Sequence, residues 1–188
     1  MQGYFALTCF FLLILMVLSR AAILKRKGIQ LIVFARTHHS DFLILPFVLF
    51  YVYHLLAGVF GWPGVSGPFL LHSASLRWLG VAFCVAGVLL FLWGLLSFGN
   101  SFRVGIDTEA PAQLITSGAF AVSRNPLYVA FALNLIGFFL VFPTVLFLIY
   151  LLAGFWLFRR QILREEAFLQ QYYGEAFAEY CRNVRRYL

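Results

Sequence analysis

Charge is what this chain has least of. Of 188 residues, 7 are acidic and 14 basic, 11% together, against 63% apolar residues and a mean hydropathy of +0.90. A soluble domain carries about 25% charged and about 45–50% apolar residues. The deficit excludes a soluble globular protein, a disordered chain and a disulfide scaffold. So much apolar surface at this length requires the bilayer as part of the solvent. Cysteine is scarce as well: Cys9, Cys84 and Cys181 have no CxxC spacing, which points to neither a zinc site nor an oxidised framework. Cys9 and Cys84 lie in apolar runs, where a small buried thiol is the ordinary occupant. His38, His39, His54 and His72 show no HxxxH or HExxH spacing, so no metal is expected. Strand patterns and a GxGxxG turn are missing, which excludes a Rossmann-type nucleotide site. Internal repeats and low-complexity tracts are missing too.

The net charge of +7 would suit nucleic acid, but the basic residues flank long apolar runs, as topology signals do. No nucleic-acid partner is expected. The first apolar run, about 4–24, has no basic residue before it and Lys25-Arg26-Lys27 after it. That is a membrane helix with a stop signal, in contrast to a cleaved signal peptide. Runs at about 42–62 and 78–98 follow, separated by a turn-rich loop that opens at Gly61-Trp62-Pro63-Gly64. Asn125 to Phe158 is then 34 residues without a charge. As one helix it would be on the order of 50 Å long, against a hydrocarbon core of about 30 Å. Pro143 near its middle supplies a break, so the spacing predicts a hairpin of two short helices, 126–142 and 144–158.

The charges support that count. With five spans, 13 of the 14 basic residues fall on one side: Arg20, Lys25, Arg26, Lys27, Arg36, Arg103, Arg124 and the six arginines after residue 158. Only Arg77 falls on the other side, at a helix end where it can snorkel. The expected architecture is an all-α polytopic membrane protein of five transmembrane helices, with a short fourth–fifth hairpin and a cytoplasmic helical tail. It forms a single domain over 1–188, with the N-terminus outside. All seven acidic residues fall on the cytoplasmic side, so chemistry is expected there.

In the tail, Phe158, Ile162, Glu165, Phe168, Leu169 and Tyr172 share a helical face. Glu165 and Glu166 have no cation three or four residues away, the usual arrangement on a solvated helix. A carboxylate among apolar neighbours needs a partner. That partner is Arg124, a first-loop lysine or a cationic ligand. Asn125-Pro126 reads as an N-cap and first helical residue, with Tyr128 one turn in.

Two motifs stand in order: Leu114-Ile115-x-x-Gly118-x-Phe120-x-x-x-Arg124-Asn125-Pro126-x-Tyr128, and Glu165-Glu166-x-x-Leu169-x-x-x-Tyr173-Gly174-x-x-Phe177-x-x-Tyr180-x-x-x-Val184. With a helical hairpin between them, they resemble the isoprenylcysteine carboxyl methyltransferase family, part of a wider membrane group that includes phospholipid methyltransferases. The resemblance covers about 98–184. It implies an S-adenosyl-L-methionine-dependent membrane methyltransferase whose half from 99 to 188 binds the cofactor. By motif, Gln113, Leu114, Ile115, Gly118, Phe120, Asn125, Pro126, Leu127 and Tyr128 would line the cofactor pocket with Glu165 and Glu166. Glu165 would receive the cofactor's ammonium group. The family's His stands here as Asn125, a Tyr as Phe120, a Gly as Ala130, and the Arg four residues before the first Glu as Gln161.

A carboxylate or thiolate acceptor needs no base, whereas an amine does, and no histidine falls near these motifs. The expected acceptor is therefore an ionised lipophilic molecule, such as a prenylated cysteine carboxylate, reached among the membrane lipids. Arg124 and Arg160 are the candidates to orient its anion. The alternatives are a phospholipid N-methyltransferase, an NADPH-dependent sterol-reductase-like enzyme and a non-catalytic membrane protein.

Overall fold

The computed structural model describes residues 1–26, 44–63, 67–98 and 114–188. Gln113, Lys27, Arg36, Arg103, His38 and His39 lie outside the described residues, as does most of the third loop. The elements are α1 (Gln2–Arg26), α2 (Ile44–Phe60), α3 (Ala74–Phe98), a 3-10 turn (Gly118–Ala121), α4 (Pro126–Val141), α5 (Val145–Tyr173) and α6 (Glu175–Asn183). Among the described residues there is no strand, only an isolated bridge between Phe69 and Thr144. In hydrocarbon a helix satisfies its own backbone, which is why a chain this apolar folds this way.

This is an integral membrane protein. Three helices, α1, α3 and α5, are long and apolar enough to cross a bilayer, while α2 and α4 are shorter apolar helices. Three long and two shorter apolar helices stand where the five spans are expected, and the count of five crossings rests on the charge pattern. Two boundaries differ from the sequence reading. Helix α3 begins a turn early because Ser73 Oγ accepts the Leu76 N–H at 3.3 Å. Helix α5 runs on without interruption from its apolar part, 145–158, to Tyr173. Pro143 does break the long apolar run: Thr144 caps α5 by accepting the Phe147 N–H at 3.4 Å. The hairpin then folds back, and the Phe158 ring meets Tyr128 and Phe131 at 5.9 and 6.0 Å.

The seam that positions everything else joins α3 and α4, the most extensive helix pair. Gly80, Gly87 and Gly94 recur every seven residues along one stripe of α3. A Cβ on Gly80 would meet the Gly137 carbonyl at 2.7 Å, one on Gly87 the Ala130 carbonyl at 2.8 Å, and one on Gly94 the Leu127 Cδ2 at 2.6 Å. Lipid tails are as apolar as leucine, so helices associate here by close backbone approach and packing rather than by burial from water. The contacts pair Gly80 with Gly137 and Gly94 with Leu127, so the two helices are antiparallel, and the start of α4 lies against the last turns of α3.

Helix α1 packs beside this pair. Phe5 meets Trp78 of α3 at 5.7 Å, and Phe10 meets Phe138 of α4 at 6.0 Å. Tyr51 of α2 joins the same aromatic cluster, edge-on to Phe138 and Tyr150. His54 is buried there; its Nδ1 donates to the Phe50 carbonyl at 2.7 Å, with the Tyr150 hydroxyl 3.3 Å away. Polar side chains of α1 close on their own helix: Thr8 Oγ1 donates to the Tyr4 carbonyl and Ser19 Oγ to the Met16 carbonyl.

Overpacking a filled seam typically costs about 1–3 kcal/mol. Gly87→Leu should therefore lower the detergent unfolding midpoint measurably, whereas Leu89→Ala, on a side chain 61% exposed, should not. Equal midpoints for the two variants would contradict the assigned seam.

Candidate functional site

The N-terminus of α4 and the polar extension of α5 converge on two adjacent carboxylates. Helical geometry turns neighbouring side chains about 100° apart, so Glu165 and Glu166 meet different surroundings. Glu166 is buried and takes charged partners from elsewhere in the chain. Arg186 donates from Nε at 2.9 Å and lies within 2.8 Å through Nη2, and Arg124 Nη2 is 3.5 Å away. Asn125 Nδ2 donates to the same carboxylate at 3.2 Å. The pairing with Arg124 considered from sequence is thus realised, on the second glutamate.

Glu165 has different company. The Tyr128 hydroxyl donates to it at 2.6 Å and Gln161 Nε2 at 3.1 Å. Both donors are neutral. Among the described residues no lysine or arginine pairs with it. Burial pushes its carboxyl above the ordinary glutamate range, while the hydrogen bonds from Tyr128 and Gln161 pull it back.

The C-terminal segment locks the arrangement. The Arg124 N–H donates to the Arg185 carbonyl at 2.9 Å, and Asn125 Nδ2 to the Arg186 carbonyl at 3.1 Å. Asn125 occupies the N-cap position, but its side chain caps nothing; the amide is used on Glu166 and Arg186 instead. Gly174, at φ 54°, makes the turn that sends α6 back to the 3-10 turn before α4. There the Tyr180 hydroxyl donates to the Phe120 carbonyl at 2.6 Å. Burial pushes that hydroxyl up to about 12, partly offset by Arg124, so it stays a donor.

The other candidates fall in place around this core. Phe120 is buried and edge-on to Phe98 at 4.6 Å. Gly118, at φ 63°, starts the 3-10 turn, where Ser97 Oγ accepts the Ala119 N–H at 2.9 Å. Pro126 is fully buried at the first position of α4, and Leu127 meets Gly94. Leu114 and Ile115 are half-buried and lead into the turn. Arg160 lies 5.7 Å over the exposed Trp156 ring, so no described contact brings it to the carboxylates. Tyr172, expected on the inward face, is 54% exposed and stacks on Phe168; the buried face of the extension carries Ile162 and Glu166.

A family model described as phospholipid methyltransferase matches residues 76–176, more than half of the chain. The chain belongs to the phospholipid methyltransferase family. Within it, the chain is 26% identical over 172 residues to a protein-S-isoprenylcysteine O-methyltransferase of Tribolium castaneum, covering 81% of this chain and 61% of that protein. A protein-S-isoprenylcysteine O-methyltransferase B of Arabidopsis thaliana is 24% identical over 140 residues, 73% of this chain and 68% of its own length. A solved eukaryotic intramembrane Ras methyltransferase, isoprenylcysteine carboxyl methyltransferase, superposes with a TM-score of 0.61 at 24% identity, over 88% of this chain and 58% of that one. The chain thus spans about three fifths of the length of two of these three proteins. The solved structure shows that the fold is shared. The motif resemblance to isoprenylcysteine methyltransferases agrees with these relatives.

A desolvated acid without a counter-ion suits a cationic ligand. Glu165 fits on its own chemistry: it is a desolvated carboxylate beside a helix N-terminus, held by neutral donors, with no counter-ion among the described residues. Glu166 does not offer the same, since two guanidinium groups already face it. A cavity of about 180 Å³ lined by Tyr4, Gly58, Arg77 and Phe142 lies at the opposite end of α4, away from the carboxylates.

Sequence reasoning missed Arg186 and Tyr180 as organising groups, and Ser123, whose Oγ accepts the Asn125 N–H at 3.1 Å. The sequence offered Arg124 as a cation for the acid pair, and only the terminal run Arg185-Arg186 hinted at Arg186. Removing Glu166 leaves Arg124 and Arg186 facing each other, and breaking a buried pair costs several kcal/mol. Glu166→Leu should destabilise the protein by about 2–4 kcal/mol and raise hydrogen exchange at the Arg124 amide. Glu175→Ala, which removes only the exposed pair with Arg182, should leave the midpoint within error. A Glu166→Leu protein as stable as the parent would refute the latch.

Proposed function

We propose that this protein is an integral membrane methyltransferase that uses S-adenosyl-L-methionine to methylate a lipophilic acceptor through its carboxylate, with prenylated cysteine as the reference chemistry. The observation that carries the reading is Glu165, a desolvated acid beside the start of α4 with no cation among the described residues. The isoprenylcysteine names of the relatives support the acceptor class.

The donor, when bound, supplies an electrophilic methyl carbon. That carbon would go to an acceptor oxygen to give a methyl ester, and the donor would leave as a neutral thioether. The chain's own residues bind, orient and exclude water. Glu165 receives the donor's ammonium, with Tyr128 and Gln161 fixing its carboxylate. The latch of Arg124, Asn125, Glu166 and Arg186 holds the start of α4 against α5. Leu114, Ile115, Phe120 and Leu127 supply an apolar wall, with Gln113 and Gly118 completing the stretch the motif assigns. Cationic charge is lost from sulfur during transfer, so a water-poor site favours the step without acid–base help. In the topology read from the charges, the polar donor enters from the cytoplasm and the lipid-tailed acceptor from the bilayer. Transfer to a phospholipid amine is the second reading, favoured by the family model's own description.

Binding of S-adenosylhomocysteine to the purified protein tests the donor site. Glu165→Gln should weaken it at least tenfold, about 1.4 kcal/mol or more. The pH dependence has a definite sign. A cation needs the ionised carboxylate, so affinity is full above the raised Glu165 pKa and falls as pH drops through it. The decline should therefore begin at a higher pH than for a solvated glutamate, and the Gln variant should lose it. Unchanged affinity and an unchanged pH profile in that variant would reject Glu165 as the ammonium site. Labelled-methyl transfer to a prenylcysteine against phosphatidylethanolamine separates the two acceptors.

A further inference from the structure

Arg20 belongs, by the charge pattern alone, to the basic residues that mark the cytoplasmic end of α1. Its position in the fold is different. Leu13, Met16, Val17 and Leu24 make the core-facing stripe of α1, and Arg20 falls on that stripe by three-, four- and seven-residue spacing. Lys25 and Arg26 at the helix end are exposed, whereas Nε and Nη2 of Arg20 are shielded from solvent and have no hydrogen-bond partner among the described residues. Arg77 and Arg124 each leave only Nε in that condition.

Nε and Nη2 form one edge of the guanidinium fork. Arg186 presents those same two nitrogens to Glu166, at 2.9 and 2.8 Å. That edge matches the two oxygens of a carboxylate. Shielding it with no acceptor carries a penalty of several kcal/mol, which an anion would remove.

The depth of Arg20 follows from helix geometry. Helices α1 and α4 are antiparallel, with Gly3 beside the Phe142 ring and Phe10 against Phe138 at 6.0 Å. Ten residues onward along α1 is Arg20, and ten back along α4 is Tyr128; at equal rise both lie about 15 Å from that contact. Tyr128 is the residue that holds Glu165. An oxyanion at the level of the donor-site tyrosine, beside an apolar stripe, suits a molecule with an anionic head and a hydrocarbon tail. Gln161 is neutral and already donates to Glu165.

We propose that Arg20 is the anion anchor of the acceptor site, receiving the carboxylate of a lipophilic methyl acceptor through its Nε–Nη2 edge. The assignment rests on the methyltransferase reading above, and its test is separable from that reading. The full chain in nanodiscs of neutral lipid, without donor, is titrated with N-acetyl-S-farnesylcysteine and with the corresponding carboxamide, which has the same tail and no charge. The parent should prefer the carboxylate at least tenfold. Arg20→Met should lose that preference while binding the carboxamide as before, and Arg20→Lys should restore part of it. S-adenosylhomocysteine affinity should stay within about twofold in both variants, since the donor site is Glu165. If the Met variant fails to fold, the Lys variant carries the test, with a reduced preference expected. A preference kept in Arg20→Met, or absent from the parent, overturns the proposal. A parent stabilised by anionic phospholipid in an Arg20-dependent way, with no carboxylate preference, also overturns it and assigns the arginine to a lipid phosphate. Failure of the parent to bind S-adenosylhomocysteine instead refutes the donor-site reading, and leaves the carboxylate titration to judge Arg20.

Discussion

A bilayer supplies neither water nor counter-ions, so an acid carried at its edge must be neutralised by the protein or by what the protein binds. Two adjacent acids on α5 meet that constraint in opposite ways. Glu166 is closed by Arg124 and Arg186 and ties three parts of the chain together. Among the described residues Glu165 is held by Tyr128 and Gln161, which orient it without cancelling its charge. One residue of helix rotation separates a structural ion pair from a receptive carboxylate.

That division works only if α4 begins at a fixed place. The glycine stripe of α3 sets it, because the absence of side chains at 80, 87 and 94 lets α4 lie directly on the α3 backbone. The last turns of α3 then support the start of α4 and the 3-10 turn before it, through Gly94, Ser97 and Phe98. The C-terminal segment completes the enclosure from the other side by hydrogen bonds to Arg124 and Asn125. Packing within the membrane and polar latching at its edge thus meet on one turn of helix.

Much of this was legible in the residues. Hydropathy marks the helices, and Pro143 marks the hairpin, because length and backbone chemistry leave few choices. The absence of local cations for Glu165 and Glu166 signalled that something distant must answer them. Which distant group answers which acid was not legible, because that depends on a contact between residues 20 apart across a glycine turn. Asn125 is the instructive miss: its type and position favour an N-cap, yet tertiary demand from Glu166 outweighs the local bond. Arg20 reads as a topology charge until the packing of α1 shows which way its stripe faces. The division of the chain into crossings rests on the charges; the helices themselves rest on the structure.

Helix α5 is one unbroken rod of 29 residues, about 43 Å from the hairpin to the end of its polar extension. Tilting is how such a rod adjusts to a bilayer of another thickness. Because its far arm is latched to the start of α4 through Glu166 and Tyr128, a change of tilt has to be taken up along the apolar arm of the rod, which leaves the carboxylate in register with the residues that hold it.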